Sequence, residues 1–391
     1  MENALGWLFT LPFLLTCLMT LTLLIIYLIR WRAPVAVQEL PSVSVFIPYY
    51  NENADILIAS LNKLEQQQYP TQLQIIIIDD GSNNNTPMRV KEWVASERKQ
   101  QFVILTRQSN EGRKGFALDF ALDSGVATGD AYVIVDSDTY VEPDGIAELV
   151  AKLWSHPDNA AVCGYVVPEN YRDSLIGKLQ YYEHIGIYGA IRAAQDLMGT
   201  VPVLAGAFVA HRASVVREIG GWSEWLVEDI SWSWKALAHQ YRTGYAANAV
   251  ATTQCPISHN ALFKQRRRWA RGRVEAYVEA WKVSFLSGVK STPWFLMTAM
   301  NFIFPPKLIM LPVLMMFQVW LPVLLSILTL CLYLVFTALY FRRHGNKTNI
   351  TKRDVANVPF YASMLDAITW LPNVLGYVDE FRGKKKNWLT R

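Results

Sequence analysis

The sequence predicts an α/β domain, built on a parallel β-sheet, set between apolar blocks long enough to cross a membrane. Three observations carry this. Between residues 40 and 290, short β-branched runs alternate with longer helical patterns, the signature of strands covered by helices on both faces. No residue from Asn3 to Ile29 is charged, and Lys307 is the only charge between Ser291 and Phe341; about 20 apolar residues suffice for one helical span. The 391 residues are 52% hydrophobic and only 18% charged, against about 45–50% and about 25% for an average soluble domain. That is too apolar for a purely soluble enzyme and too polar for a bundle of membrane helices. With 21 Gly and 18 Pro, collagen-like and disordered chains are excluded as well.

Residues 1–32 read as an N-terminal anchor. No Lys or Arg precedes the apolar run, which is too long for the core of a cleaved signal. Arg30 and Arg32 follow it, so the positive-inside rule places the next domain in the cytoplasm. Residues 40–255 form the α/β domain, with strands at Val43–Ile47, Ile75–Ile78, Phe102–Leu105 and Tyr132–Val135. Residues 256–290 read as amphipathic interfacial helices. The block 291–341 holds about two spans, its first half made irregular by Pro305, Pro306 and Pro312. In 342–391, a stretch from Val358 to Val378 carries Asp366, Pro372 and Asn373; it reads as re-entrant or interfacial, with a full span as the alternative. The basic tail Lys384-Lys385-Lys386 follows.

Cys17, Cys163, Cys255 and Cys331 make no CxxC pair, so neither a zinc site nor a disulfide framework is expected. The net charge of +4 is no argument for nucleic acid, and no nucleic-acid motif is present. The Gly-rich phosphate signatures of dehydrogenases and P-loop enzymes are also absent.

Polar clusters follow three of the strands: Pro48-Tyr49-Tyr50-Asn51-Glu52, Asp79-Asp80-Gly81-Ser82 and Asp136-Ser137-Asp138. Ligands of open α/β sheets bind at the carboxyl ends of strands, so these clusters mark a candidate site. Asp136 and Asp138 repel unless a cation shares them, and a hard divalent ion is the natural partner; the competing reading is a solvated turn. Asp79-Asp80 taken alone is an ordinary strand-ending turn. Glu228-Asp229 sits among Trp225, Trp232 and Trp234. Partial desolvation there raises a carboxylate toward the range of a useful base, while the plain alternative is a helix N-terminus favouring acidic residues. Residues 264–273 hold six basic side chains in ten. They suit a helix on anionic headgroups, but Gln265, Arg268 and Trp269 share one helical face. A guanidinium there can bind a diphosphate while the indole stacks on a sugar.

In this order and at this spacing, the motifs resemble the processive membrane glycosyltransferases of family 2. Glu228–Lys235 and Lys264–Gly272 are most similar to bacterial poly-β-1,6-N-acetylglucosamine synthases. The resemblance covers residues 42–285 and includes the QxxRW signature of polymerising members, here Gln265 to Trp269. It implies a cytoplasmic GT-A (Rossmann-like) domain in a multi-pass protein of a bacterial inner membrane. It implies that Pro48, Tyr50, Glu52, Asp79, Asp80, Lys114 and Asp136 bind the nucleotide, and that Asp136 and Asp138 hold Mg²⁺ or Mn²⁺. Asp229 is the implied general base; Glu228, Gln265, Arg268, Trp269 and Gly206 are implied contacts of the diphosphate and acceptor. The implied activity is inverting polymerisation of a UDP-sugar, best UDP-N-acetylglucosamine, into a β-linked exopolysaccharide moved across the membrane. The implied partners are the donor, the growing chain, membrane lipid and a small accessory membrane subunit. The alternative is single addition to a polyprenyl phosphate or glycolipid. A scaffold without activity is the third reading. The chain departs from the family pattern at Val227, Ser231 and Trp232, where Thr, Asp and a smaller apolar residue are usual; these put the acceptor pocket and the identity of the sugar in question.

Overall fold

The computed structural model describes residues 2–32, 39–222, 225–348 and 350–385; Lys386 of the basic tail lies outside them. An apolar helix α1 (Glu2–Arg30) leads into the globular part. There the order is β1 (Val43–Tyr49), α2 (Ala54–Glu65), β2 (Gln74–Asp79), α3 (Thr86–Val94), β3 (Gln101–Thr106), α4 (Lys114–Asp123), β4 (Ala131–Val135), β5 (Thr139–Val141) and α5 (Gly145–Trp154). Next come β6 (Asn159–Pro168), α6 (Leu175–Ile185), a π-helical turn (Gly186–Ile191), α7 (Arg192–Met198), β7 (Phe208–Arg212), α8 (Ala213–Ile219), α9 (Glu228–Ala238) and β8 (Arg242–Thr253). Six elements close the chain: α10 (His259–Val283), α11 (Phe285–Ile303), α12 (Lys307–Met316), α13 (Trp320–His344), a short 3₁₀ turn and α14 (Lys352–Phe381).

The eight strands form one sheet in the order β3-β2-β1-β4-β7-β6-β8-β5. The first four pair in parallel, as their continuous apolar sequences predict. Beyond β4 the sheet is mixed: β7 runs antiparallel to both β4 and β6, β8 parallel to β6, and β5 antiparallel to β8. Alternate residues of each strand feed two cores. Phe46, Ile76, Ile78, Tyr132 and Ile134 face one; Val45, Ile47, Ile75, Ile77, Val133 and Val135 face the other. The chain leaves β1 toward one edge of the sheet and β4 toward the other, so the loops after these neighbours part and open a crevice at their carboxyl ends.

The first core also takes in Leu23, Leu24 and Tyr27 of α1 and Phe336 and Tyr340 of α13. Two long apolar helices are thereby seated on one face of the sheet, with the rings of Tyr27 and Phe336 5.3 Å apart. Among the described residues, Thr10–Arg30 and Trp320–His344 are long and apolar enough to cross a membrane. Helices α11 and α12 meet at 74° across the break containing Pro305 and Pro306; proline removes a helix hydrogen bond and clashes with the preceding turn. The stretch read as re-entrant or interfacial, or as a full span, lies within α14, one continuous 30-residue helix running through Pro359 and Pro372. It lies along α10 so closely that a Cβ on Gly376 would clash with the carbonyl oxygen of Arg267.

Candidate active site

Three loops at the carboxyl edge knit one wall. Glu52 is buried and spans two of them: its Oε1 accepts from the Asn53 N–H at 3.0 Å, and its Oε2 accepts from the Ser137 hydroxyl at 2.8 Å. Asn51, at φ 48°, accepts from the Asn83 N–H at 2.9 Å and donates its own N–H to Ser82 Oγ at 2.9 Å. The two aspartates after β2 divide the work. Asp79 points into its own turn and accepts from the Ser82 N–H at 2.9 Å. Asp80 faces the crevice, where Arg107 and Asn110 hold it. Burial pushes the Asp80 carboxyl up to about 6, against the opposing pull of Arg107.

The opposite wall is built around a lysine. Lys114 opens α4, and its Nζ donates to the Gly206 carbonyl at 2.9 Å. It stands 2.5 Å from Asp136 Oδ1 and 3.3 Å from Glu228 Oε1. Burial alone would lower this ammonium's pKa, but Asp136, Glu228 and Asp229 together hold it above the ordinary lysine range. Asp136 and Asp138 flank the β4–β5 turn, and Thr253 at the end of β8 donates to Asp138 Oδ1 at 3.3 Å.

Asp229 lies in the first turn of α9. Its Oδ2 accepts from the Gly206 N–H at 2.9 Å and its Oδ1 from its neighbour Ile230 N–H at 2.8 Å. Burial, then the charge of Glu228, pushes its pKa up to about 6, while Lys114 and the two N–H groups pull it down. The carboxylate is therefore fixed in position yet basic enough to take a proton near neutrality. Glycine is required at 206 by space: a Cβ there would sit 2.8 Å from Asp229 Oδ2. Gly272 of α10 does the same for the approach to α9, since its Cβ would lie 2.5 Å from Cβ of Val227.

One cavity of about 1080 Å³ gathers these groups. Pro48, Tyr50, Glu52, Asp80, Lys114, Asp136, Asp138, Gly206, Glu228, Asp229, Gln265, Arg268 and Trp269 all line it. Asp79 does not; its part is to shape the turn that presents Asp80. Gln265 Oε1 is buried with no hydrogen-bond partner among the described residues, an acceptor left for a ligand. Arg268 lies within the field of Glu228, Asp229 and Asp136, yet burial dominates and lowers its pKa.

The structure adds lining residues that the sequence motifs do not mark. Glu183, His184 and Tyr188 come from α6 and the π turn, and Trp294 and Asp366 from α11 and α14. No short-range spacing identifies them, because sheet topology and helix packing bring them in. The basic run also looks inward more than its composition suggests. Arg266 pairs with Glu183, Arg267 with Asp379 at 2.6 Å, and Arg271 with Glu380 at 2.8 Å. Arg273 bonds Asn373 and Tyr377, leaving Lys264 exposed. Most of this charge pins α10 to α6 and α14; it does not form an open surface for headgroups.

Among the described residues, no cluster of three or more His, Cys, Asp or Glu side chains makes a metal cage. Asp136 and Asp138 still fit a hard divalent ion, since Mg²⁺ is commonly bound by one or two carboxylates plus substrate phosphates and water.

The fold is a GT-A-like α/β fold, and its crevice brings together an Asp-x-Asp turn after a central strand, a raised carboxylate across from it and a shared cavity. Residues 44–220 match the protein family Glycosyl transferase family 2. The chain is similar to the poly-beta-1,6-N-acetyl-D-glucosamine synthase of Staphylococcus aureus (strain MSSA476), at 30% identity over 252 residues, 63% of this chain and 58% of that protein. It is similar to the Staphylococcus epidermidis protein of the same name, at 29% identity over 238 residues, 60% of this chain and 55% of that protein. The matched region thus spans less than two thirds of either relative. A mannosyltransferase from Pyrobaculum calidifontis, solved in complex with GDP-Man and Mn²⁺, shares the fold over 98% of this chain and 100% of its own, at a TM-score of 0.66 and 18% identity.

Proposed function

We propose that the protein is an inverting, processive glycosyltransferase. It takes a UDP-sugar, best UDP-N-acetylglucosamine, and extends a β-linked polysaccharide that it feeds across the membrane. The observation that carries this reading is the placement of Asp229. A carboxylate raised to about 6 shares one cavity with Asp136, Asp138 and the Gln265–Trp269 face.

In this reading the β1 loop and Asp80 hold the uridine side of the donor, and Lys114 and Arg268 face its diphosphate. Mg²⁺ or Mn²⁺ held by Asp136 and Asp138 would neutralise charge developing on the departing UDP. Trp269 offers an apolar face to the acceptor sugar and Gln265 a hydrogen-bond acceptor to its hydroxyls. Asp229 removes the proton from the attacking hydroxyl, a poor nucleophile near neutral pH without a positioned base. A single base opposite the leaving group gives in-line displacement, so an α-linked donor yields a β-linkage. The two apolar helices seated on the sheet support a membrane-bound enzyme, and Arg30 and Arg32 after the first favour the domain on the cytoplasmic side, where the donor would be supplied.

Similarity to the two staphylococcal synthases supports N-acetylglucosamine as the sugar. The test is to give the purified protein a panel of UDP-sugars with Mg²⁺ and size the products. A ladder of long β-linked N-acetylglucosamine polymer is expected. One sugar per acceptor would move the assignment to single addition on a polyprenyl phosphate or glycolipid, and no product from any donor would sink the activity altogether.

A further inference from the structure

The helix bearing Gln265, Arg268 and Trp269 makes one buried contact that the proposed chemistry does not use. Arg266 donates from Nη1 and Nη2 to Glu183 Oε1 and Oε2 at 2.8 and 2.5 Å. Both side chains are buried, at 6% and 11% exposure. The guanidinium carbon lies 4.4 Å from the centroid of the Trp269 ring. Glu183 and Trp269 both line the cavity. A guanidinium is planar, so it can hold a carboxylate along its edge and back an aromatic ring with its face. A flexible ammonium, or a guanidinium without a fixed carboxylate, would not present that face in one place.

We propose that Glu183 is a positioning residue for the acceptor: through Arg266 it fixes the Trp269 indole as the platform on which the acceptor sugar rests. The proposal rests on the reading above that Trp269 receives the acceptor. Glu183 sits on α6, far from the helix it serves in sequence, and reaches it because α6 and α14 flank α10. A carboxylate is needed there because a buried cation stripped of its counter-charge does not stay in place.

The test combines a structural readout with a kinetic one. The full chain is labelled with 5-fluorotryptophan, and W269F assigns the Trp269 resonance in the ¹⁹F spectrum. In E183Q that resonance is expected to shift or broaden, while those of the core residues Trp222 and Trp232 hold. KM for soluble β-linked N-acetylglucosamine oligomers is expected to rise roughly tenfold, the scale of one cation–π contact, with donor KM changed less than about twofold. An unmoved Trp269 resonance overturns the proposal, whatever happens to the rate. If the wild-type protein transfers no sugar, the functional reading falls, and the resonance still decides whether Glu183 places the ring. Should E183Q not fold, the apolar pair E183L/R266M fills the same space, a replacement that buried ion pairs often tolerate. An altered Trp269 resonance in that variant supports the proposal, and a wild-type resonance with wild-type acceptor KM overturns it.

Discussion

Gly206→Ala perturbs the site by a single methyl group, with an effect that follows from distances. The added carbon would lie 2.8 Å from Asp229 Oδ2 and 3.1 Å from both Cβ and Cγ, where ordinary contact begins at 3.4 Å. The shortfall is 3.4 − 2.8 = 0.6 Å at the oxygen. Rotation of the carboxylate cannot relieve it, since Cβ and Cγ are crowded too. Either Asp229 or the Leu204–Ala207 segment must move by roughly half an ångström. A misplacement of about 1 Å at a reacting centre costs about 100-fold, so about half that distance predicts a kcat about 10-fold lower. The 2.9 Å bond from the Gly206 N–H lengthens as well. That bond holds the Asp229 pKa down, so the acid limb of the pH–rate profile moves to higher pH. Donor KM rises where the Leu204–Ala207 segment gives way, because the Gly206 carbonyl accepts from Lys114 Nζ at 2.9 Å, and stays close to wild type where Asp229 gives way instead. Initial rates of UDP release across a pH series measure all three quantities. Wild-type kcat with an unshifted limb in a folded variant would refute both the close contact and the role given to Asp229.

Other consequences follow from the same geometry. The base must be ionised, so kcat/KM of the wild type rises with pH through about 6, measured from initial rates between about pH 5 and pH 8. Stability runs the opposite way. The folded carboxyl holds its proton more tightly than the unfolded chain, so ionising Asp229 erodes stability as pH rises from about 4 to about 6; Asp229→Asn relieves this cost at neutral pH but not at pH 4, as paired thermal melts will show. Chelation, or Asp136→Asn, reduces transfer by about 100-fold or more if the divalent ion and this carboxylate stabilise the leaving group; added Mg²⁺ restores the chelated wild type but not the variant. Gly272→Ala forces a carbon to within 2.5 Å of Val227, opening the seam between α9 and α10 at a cost of about 1–3 kcal/mol, read as a lower unfolding midpoint.

Legibility in the sequence follows the range of the interactions. The four parallel strands were readable because burial on both faces leaves an unbroken apolar run, as in Ile75–Ile78. The polar turns after them were readable because strand ends concentrate ligand-facing groups. The mixed half was not: β8, at Arg242–Thr253, is rich in Ala and Thr and lacks the apolar density that marks β2. The continuity of α14 was hidden by Pro359 and Pro372, whose usual cost is met here by packing along α10 and α6. Asp79 and Asp80 look alike in sequence, and only the turn's hydrogen bonds separate the residue that shapes it from the one facing the cavity. The inward turn of the basic run was illegible for a related reason. Its partners Glu183, Asp379 and Glu380 lie about 80 to 110 residues away, beyond any local pattern.

The central claim is that Asp229 takes the proton during sugar transfer, and Asp229→Asn tests it most directly. The amide keeps the size of the side chain and leaves Lys114 paired with Asp136 and Glu228, but it removes the base. The decisive measurement is transfer from UDP-N-acetylglucosamine by the folded variant, with UDP binding followed in parallel. The account predicts a rate lower by about 100- to 10,000-fold, with UDP affinity within a few-fold of wild type. Polymer formed at near wild-type rate by the variant would contradict it.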